Sequence, residues 1–280
     1  MRRSHTPTAV TPGVTNRIDD VFALLRERGE KALIPYVMAG DPDVATTEEW
    51  LLAAASAGAD LLEIGIPFSD PLADGPVLQR AAERALARKI TLGDVLALVR
   101  RVRAKTATPL ILMTYYNLIF QYGDERLARD AAAAGVDGLI VPDLPPEEAD
   151  SLASAARAAG VHLIFLVAPT TPPARIAAIA ARASGFLYYV SLTGITGSKL
   201  PPLEEVERRV RAIKRLTRLP IAVGFGVSTP DEAARIARVA DGVIVASALI
   251  KRLQEEPDPA KRSHVLTAYV ASLKQALIPR

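Results

Sequence analysis

Glu63 is the residue of this sequence whose type and setting point most clearly to chemistry. It stands among Leu61, Leu62, Ile64 and Ile66, in a run that is typical of a strand buried on both faces. A buried carboxylate is costly unless it is paired, and the eight strands predicted below contain no Lys or Arg. An internal ion pair is the structural alternative. We favour a carboxyl whose burial raises its pKa toward a value useful for acid–base catalysis.

A second carboxylate, Asp74, follows eleven residues later. Its loop contains three prolines, at positions 67, 71 and 76, and these limit the freedom of the backbone. An Asp before Gly also serves as an ordinary turn residue, which is the alternative here. Together with Glu63, however, Asp74 could divide proton removal and proton delivery between two atoms of a substrate.

A phosphate site is indicated by two Gly- and Ala-rich segments. Residues 224–228 (GFGVS) lead into a helix predicted to begin near Pro230, and residues 246–248 (ASA) begin another. Backbone N–H groups at Gly turns and helix starts bind anions without Lys or Arg. Residues 194–197 (GITG) could contribute a third segment to the phosphate site. Ordinary tight turns are the alternative for all three segments.

Residues 191–202 predict a loop that closes over a ligand. The segment contains two Gly residues and a Ser198-Lys199 pair, and it ends in Pro201-Pro202. This composition suits a mobile lid, although an ordinary flexible connection would share it.

Composition excludes several functional classes. Of the 280 residues, 50% are hydrophobic and 23% are charged, which excludes disorder and low-complexity structure. Every apolar run is interrupted before the roughly 18 residues of a membrane span, and a net charge of +3 is too small to indicate nucleic acid binding. We therefore expect neither a membrane nor a nucleic acid partner. With no Cys and three His, we also expect no metal site.

Short apolar runs alternate with Ala-rich amphipathic segments, a pattern typical of repeated βα units and a parallel sheet. Because no Gly-x-Gly-x-x-Gly follows the first strand and no Walker motif is present, a closed (β/α)8 TIM barrel is favoured over a doubly wound sheet. The predicted strands span residues 33–38, 61–66, 110–113, 138–141, 162–167, 186–190, 221–223 and 243–245. The predicted helices include residues 17–28, 124–134, 146–159, 173–183, 203–216, 230–239 and 260–277.

The domain organisation is predicted to be simple. Residues 1–16, which are basic and rich in Thr and Pro, predict a flexible extension. Residues 17–280 predict one barrel domain of the α/β class with an extra N-terminal helix. Without a secretory hydrophobic region in the sequence, we expect a cytoplasmic location. In such a barrel the active site lies at the carboxyl ends of the strands, where Glu63, Asp74 and the Gly-rich segments fall.

Residues 63–76, which read EIGIPFSDPLADGP, closely resemble the signature segment of the tryptophan synthase α chain family. The resemblance extends over about residues 17–277, and further motifs follow in the order of that family. These motifs are Pro35-Tyr36 with Gly40-Asp41-Pro42, Tyr115-Tyr116-Asn117, Val141-Pro142-Asp143-Leu144-Pro145, Tyr188 ahead of Gly194-Ile195-Thr196-Gly197, and Gly224-Phe225-Gly226.

The resemblance implies a lyase that splits indole-3-glycerol phosphate into indole and glyceraldehyde 3-phosphate by a retro-aldol reaction. It assigns acid–base catalysis at indole C3 and the glycerol hydroxyl to Glu63, contact with the indole N–H to Asp74, and a positioning role to Tyr188. The binding residues that it implies are Tyr36, Tyr115 and Phe225 for the indole, Thr196 between the lid and Asp74, and Gly197, Gly226, Ala246 and Ser247 for the phosphate.

The resemblance also implies a partner. This would be a β chain with pyridoxal phosphate that receives indole within an α2β2 heterotetramer and makes L-tryptophan. The contact would lie near residues 67–74 and Asp143. The chain itself would hold no cofactor, because protonation at C3 turns the indole into an electron sink and two carboxylates suffice.

Three other functions share part of this pattern. A stand-alone indole-3-glycerol phosphate lyase would have the same catalytic residues and differ at the partner surface. A non-catalytic activator of a β chain would have no need of Glu63 and Asp74, yet both are present. Another phosphate-binding barrel enzyme, such as an isomerase or a different aldolase, would share the segments around Gly224 and Ser247 without a reason for both carboxylates.

Overall fold

A computed structural model of the chain describes residues 16–190, 203–224 and 226–279. Within these ranges eight parallel strands pair in chain order, and the last pairs with the first, so the sheet closes into a barrel. The predicted (β/α)8 fold is confirmed. The strands are β1 (Ala32–Met38), β2 (Leu62–Gly65), β3 (Leu110–Met113), β4 (Gly138–Ile140), β5 (His162–Val167), β6 (Leu187–Val190), β7 (Ile221–Gly224) and β8 (Gly242–Val245).

The helices pack on the outside of this barrel, the first of them across its amino-terminal rim and the others around the outer face of the sheet. They are α1 (Arg17–Arg28), α2 (Val44–Ser56), α3 (Pro76–Ala87), α4 (Leu92–Arg103), α5 (Tyr116–Tyr122), α6 (Asp124–Ala134), α7 (Asp150–Ala158), α8 (Pro173–Arg182), α9 (Leu203–Lys214), α10 (Pro230–Ala237), α11 (Ser247–Glu255) and α12 (Pro259–Ala276). None of the helices described here combines the length and the apolar character that a bilayer crossing needs.

One helix starts later than its sequence predicts. We expected a helix over residues 146–159, but α7 begins at Asp150. The preceding residues form tight turns instead, in which the N–H of Glu148 bonds the carbonyl of Pro145 and the N–H of Ala149 bonds that of Pro146. The helix therefore begins only after Pro145, Pro146 and these turns.

The amino-terminal rim of the barrel is closed by α1. Ile18 and Phe22 are buried among inward-facing strand residues, and the Phe22 ring centroid lies 5.6 Å from that of Phe186. Asn16, which we expected at the end of the flexible extension, is buried and caps α1 by accepting the Ile18 N–H at 2.9 Å. The rest of the predicted extension, residues 1–15, lies outside the described residues.

Three aspartates at the same rim connect neighbouring strands. Each precedes a strand and accepts a hydrogen bond from a backbone N–H at the start of the strand before it. The pairs are Asp60 with Leu33 at 2.7 Å, Asp137 with Leu110 at 2.8 Å and Asp241 with Ile221 at 2.9 Å. Because these bonds fix the register of the strand starts, they also fix how the strand ends meet at the opposite rim.

Candidate active site

Glu63 lies on β2 with its side chain inside the barrel. Leu62 and Ile64 pack between the sheet and the helices, so alternation along the strand turns Glu63 inward, beside its β1 partner Tyr36. Only 1% of Glu63 is exposed. Within the described ranges its Oε2 has no hydrogen-bond donor, and no cation influences its ionisation. The ion pair considered from the sequence is therefore not found in this part of the chain.

Asp74 ends the loop that follows β2 and is also buried, with 4% of the residue exposed. Tyr115 holds this loop from the neighbouring strand. Its hydroxyl accepts the Ala73 N–H at 3.0 Å and donates to the Asp74 carboxylate. Its ring stacks on Phe68 with a centroid distance of 5.2 Å. One tyrosine thus connects the beginning of the loop to its end.

The two carboxyl groups are the most strongly perturbed acids at this rim. Burial, together with the negative charge of Asp74, raises the pKa of Glu63 to about 8. Burial raises the pKa of Asp74 to about 6, although the hydrogen bond from Tyr115 opposes the rise. At neutral pH the dominant state therefore has Glu63 protonated and Asp74 ionised. Such a divided pair supplies an acid and a fixed negative charge at the same time.

Two tyrosines from the barrel interior complete the walls. The hydroxyl of Tyr36 lies against Gly65, where a Cβ atom would overlap it, and the hydroxyl of Tyr188 lies against Gly224 in the same manner. These positions therefore require glycine because the rings approach the backbone closely. Burial and the negative carboxyls raise the pKa of both tyrosines well above the usual value, so both rings are neutral.

At the phosphate position predicted from the sequence, the amino terminus of α11 is uncapped. Ala246 precedes the helix and forms no side-chain hydrogen bond to it, so within the described chain no side chain caps the first-turn N–H groups, which begin at Ser247. Uncapped N–H groups at a helix start bind anions. Ala246 and Ser247 therefore lie where a phosphate group could be held.

The amino terminus of α10 is capped, so it is not a second anion site of this kind. The Glu232 carboxylate accepts the Ser228 N–H at 2.8 Å, the Ser228 hydroxyl at 2.9 Å and the Thr229 N–H at 3.1 Å. The chain's own carboxylate thus occupies these donors. Gly226 follows β7 with a φ of +80° and remains the candidate from this segment.

Several predicted residues cannot be located. Thr196, Gly197 and Phe225 lie outside the described residues, as does the predicted lid at 191–202. The structure therefore brings together Glu63, Asp74, Tyr36, Tyr115 and Tyr188 and describes Gly226, Ala246 and Ser247 at the same rim. No three His, Asp or Glu side chains of the described ranges group closely enough to hold a metal ion.

One polar contact at Asp74 was missed by the sequence reasoning. The Gln79 amide donates to the backbone carbonyl of Asp74 at 2.9 Å and so anchors the loop to α3. The available signal was a polar residue in the first turn of a helix that begins directly after the loop. The second role of Tyr115 was missed as well, because we expected its ring at the indole and its hydroxyl instead bonds the loop.

Comparison with known sequences identifies close relatives. The profile of the tryptophan synthase alpha chain family matches residues 22–277. The tryptophan synthase alpha chain of Citrifermentans bemidjiense is 52% identical over 263 residues, which cover 94% of this chain and 98% of that one. The corresponding chain of Synechocystis sp. is 50% identical and covers 94% and 99%, respectively.

Solved structures show the same similarity. Tryptophan synthase subunit alpha from Legionella pneumophila superimposes with a TM-score of 0.88 at 43% identity, and the match covers 94% of this chain and 99% of that one. A chain of Mycobacterium tuberculosis tryptophan synthase gives a TM-score of 0.88 at 37% identity, with 95% and 100% covered.

Proposed function

The chain belongs to the tryptophan synthase α chain family, and we propose that Glu63 and Asp74 carry out the reaction of that family here. The protein is a carbon–carbon lyase that cleaves indole-3-glycerol phosphate into indole and glyceraldehyde 3-phosphate. The observation that supports the two roles best is the buried carboxyl of Glu63. It is protonated at neutral pH, and its Oε2 has no donor among the described residues.

The first step is proton transfer from Glu63 to C3 of the indole. The electron pair of the C2–C3 double bond forms the new C–H bond, and the positive charge is carried by the ring nitrogen. Asp74, which is ionised and buried beside Glu63, accepts a hydrogen bond from the indole N–H. Its negative charge stabilises this cation strongly because water is excluded from the site.

The second step breaks the carbon–carbon bond. The Glu63 carboxylate removes the proton from the glycerol hydroxyl at the carbon attached to C3, and that oxygen forms the aldehyde carbonyl. The pair of electrons from the broken bond restores the C2–C3 double bond and neutralises the ring nitrogen. Glu63 is protonated again at the end, so the cycle needs no external acid.

Binding of the substrate is assigned to the walls of the same rim. The neutral rings of Tyr36 and Tyr188 are buried next to both carboxyls and exclude water from the indole. The uncapped start of α11 at Ala246 and Ser247, together with the turn at Gly226, is proposed to hold the phosphate. Thr196, Gly197 and Phe225 keep the binding roles predicted from the family.

The family implies a β chain as partner, and we propose the α2β2 heterotetramer in which the β chain holds pyridoxal phosphate. Two exposed apolar side chains support a docking surface beside the catalytic loop. Leu72 in that loop is 89% exposed, and Phe120 on α5 is 70% exposed. Asp143 lies at the start of the helix that carries Phe120, since its Oδ1 accepts the N–H of Tyr116 at 2.9 Å. The cytoplasmic location stays a prediction.

The proposal is tested by measuring indole released from indole-3-glycerol phosphate by the purified full chain, with and without the β chain of its own organism. We expect slow release alone and a strong increase with the partner. Fast release that the partner does not change would support a stand-alone lyase. Absence of release under both conditions would contradict the proposed catalytic pair.

A further inference from the structure

An ion pair outside the catalytic residues joins two elements that adjoin them. Arg84 on α3 binds Asp41, which follows β1, through two parallel hydrogen bonds. Nε lies 2.8 Å from Oδ1, and Nη2 lies 2.7 Å from Oδ2. The Asp41 side chain is 9% exposed and that of Arg84 is 41% exposed. A bidentate pair of this kind fixes both distance and orientation.

Helix α3, which carries Arg84, is attached to Asp74 by the chain and by a hydrogen bond. Helix α3 begins at Pro76, two residues after Asp74, and the Gln79 amide on its first turn donates to the Asp74 carbonyl at 2.9 Å. A shift of α3 would therefore move the backbone of Asp74.

The packing of α3 alone constrains it weakly. The buried face of the helix consists of Leu78 and three alanines, and it packs against Tyr36 and Met38 of β1 and against Ile250 of α11. Alanine methyl groups form shallow ridges, which interlock less than large side chains do. The bidentate pair at Arg84 supplies the directional contact that the alanines do not.

The other end of the pair is fixed to the strand beside Glu63. The N–H of Asp41 bonds the Met38 carbonyl at the end of β1, and Gly40 donates to the Thr47 hydroxyl at 3.0 Å. Strand β1 in turn pairs with β2, where Tyr36 is the register partner of Glu63. The ion pair thus connects the strand next to Glu63 with the helix that begins directly after Asp74.

We propose that Arg84 and Asp41 are positioning residues that set the place of Asp74 relative to Glu63. This inference rests on the proposed roles of Glu63 and Asp74. Because Asp41 is buried, removing Arg84 leaves its charge unpaired and also lowers the free energy of unfolding. The pH profile of kcat separates the catalytic effect from this structural one.

The test is Arg84→Met in the full chain, assayed with its β chain for the cleavage reaction. We expect kcat to fall roughly ten-fold, since a misplacement of about 1 Å can cost up to a hundred-fold, while KM changes little. The melting temperature should also fall, because Asp41 is left buried and unpaired. The low-pH limb of the kcat profile should move to higher pH. The hydrogen bond from Tyr115 lowers the pKa of Asp74. Displacement of Asp74 weakens this bond, so the pKa of Asp74 rises.

Two further variants complete the design. Arg101→Met removes an arginine of similar exposure, 45%, from an ion pair remote from the site. Glu48 keeps Lys105 as a partner at 2.7 Å, so this variant controls for loss of a surface arginine, and it should leave kcat unchanged. Arg84→Lys keeps the charge but loses the bidentate geometry and should recover part of the activity. A kcat for Arg84→Met within two-fold of the unmodified chain, or a loss equal to that of Arg101→Met, would overturn the proposal. If Asp74→Asn and Glu63→Gln retained full activity, the catalytic roles themselves would fail instead.

Discussion

At the scale of single residues, the environment decides what each carboxyl can do. Glu63 has no donor at Oε2 among the residues the structure describes, whereas Asp74 receives a hydrogen bond from Tyr115. Burial acts on both, but only Asp74 has a partner that favours the charged form. Burial and the negative charge of Asp74 raise the pKa of Glu63 to about 8, whereas the bond from Tyr115 limits the rise for Asp74 to about 6. The two groups therefore have different protonation states at neutral pH.

Burial of Glu63 predicts a pH-dependent cost in stability. Its folded-state pKa is raised from 4.5 to about 8, so the folded state holds a proton that the unfolded chain releases. The stability contributed by this group is present below pH 4.5 and is lost progressively as pH rises toward 8. Glu63→Gln removes the titrating group. We expect its melting temperature to fall less than that of the unmodified chain between pH 5 and 9.

The control for this measurement is Glu27→Gln, which changes an exposed glutamate on α1 in the same way. Its melting temperature should follow that of the unmodified chain across the pH range. If the melting temperatures of all three proteins changed with pH in parallel, burial of Glu63 would not cause the proposed loss of stability.

At the scale of elements, the strands were predicted well from sequence because a parallel barrel buries both faces of each strand. Apolar runs such as those of β3 and β5 coincide with the observed bounds. The partners across the fold were not predictable. Arg84 and Asp41 are 43 positions apart, and neither has a local pattern that indicates the other. The pairing of β1 with β2 and the packing of α3 against β1 bring them together.

The two candidate phosphate helices show a further limit of sequence reasoning. Both α10 and α11 follow a strand of the barrel, with a Gly- or Ala-rich segment before the helix. The Glu232 side chain decides the difference, because it folds back onto Ser228 and Thr229 in a capping box. A Glu three residues after a Thr predicts this cap. The sequence therefore did contain the signal that the N–H groups at the start of α10 are already bonded.

The uncapped start of α11 predicts opposite effects on stability and binding. In Ala246→Asp the new carboxylate can cap the helix, which stabilises it by about 1 kcal/mol. The same carboxylate occupies the N–H groups and repels a phosphate. We expect a higher melting temperature and a KM for indole-3-glycerol phosphate raised roughly ten-fold or more, since hydrogen bonds to charged groups contribute about 1.5–3 kcal/mol.

Ala246→Asn is the matched control, because it caps the helix without adding a charge. It should be as stable as the Asp variant and raise KM less. Equal KM values for Ala246→Asp and the unmodified chain would contradict a phosphate site at the start of α11.

At the scale of the whole molecule, the two rims of the barrel have different tasks. Helix α1 and the strand-linking aspartates close one rim, and the candidate site opens at the other. Exposed Leu72 and Phe120 lie on the side of the site, next to the loop that carries Asp74. A partner bound there would contact the catalytic loop directly, which gives the β chain a physical route to influence cleavage.

Phe120→Ser tests this surface. We expect roughly ten-fold weaker binding of the β chain, equivalent to about 1.4 kcal/mol, with unchanged cleavage by the isolated chain. Titration of the partner against indole release measures both quantities. Leu24→Ser, which changes an exposed leucine on α1 at the opposite rim, should have no effect. Equal partner affinity for Phe120→Ser and the unmodified chain would remove Phe120 from the interface.

The most direct measurement is indole release by Glu63→Gln in the presence of the β chain, compared with the unmodified chain between pH 5 and 9. The unmodified chain should show a bell-shaped kcat profile, because Asp74 must be ionised and Glu63 protonated. Its limbs should lie near pH 6 and pH 8. Glu63→Gln should fold normally and lose roughly a hundred-fold to ten-thousand-fold of the rate. A folded Glu63→Gln protein that releases indole at the unmodified rate would contradict the assignment of Glu63 as the catalytic acid.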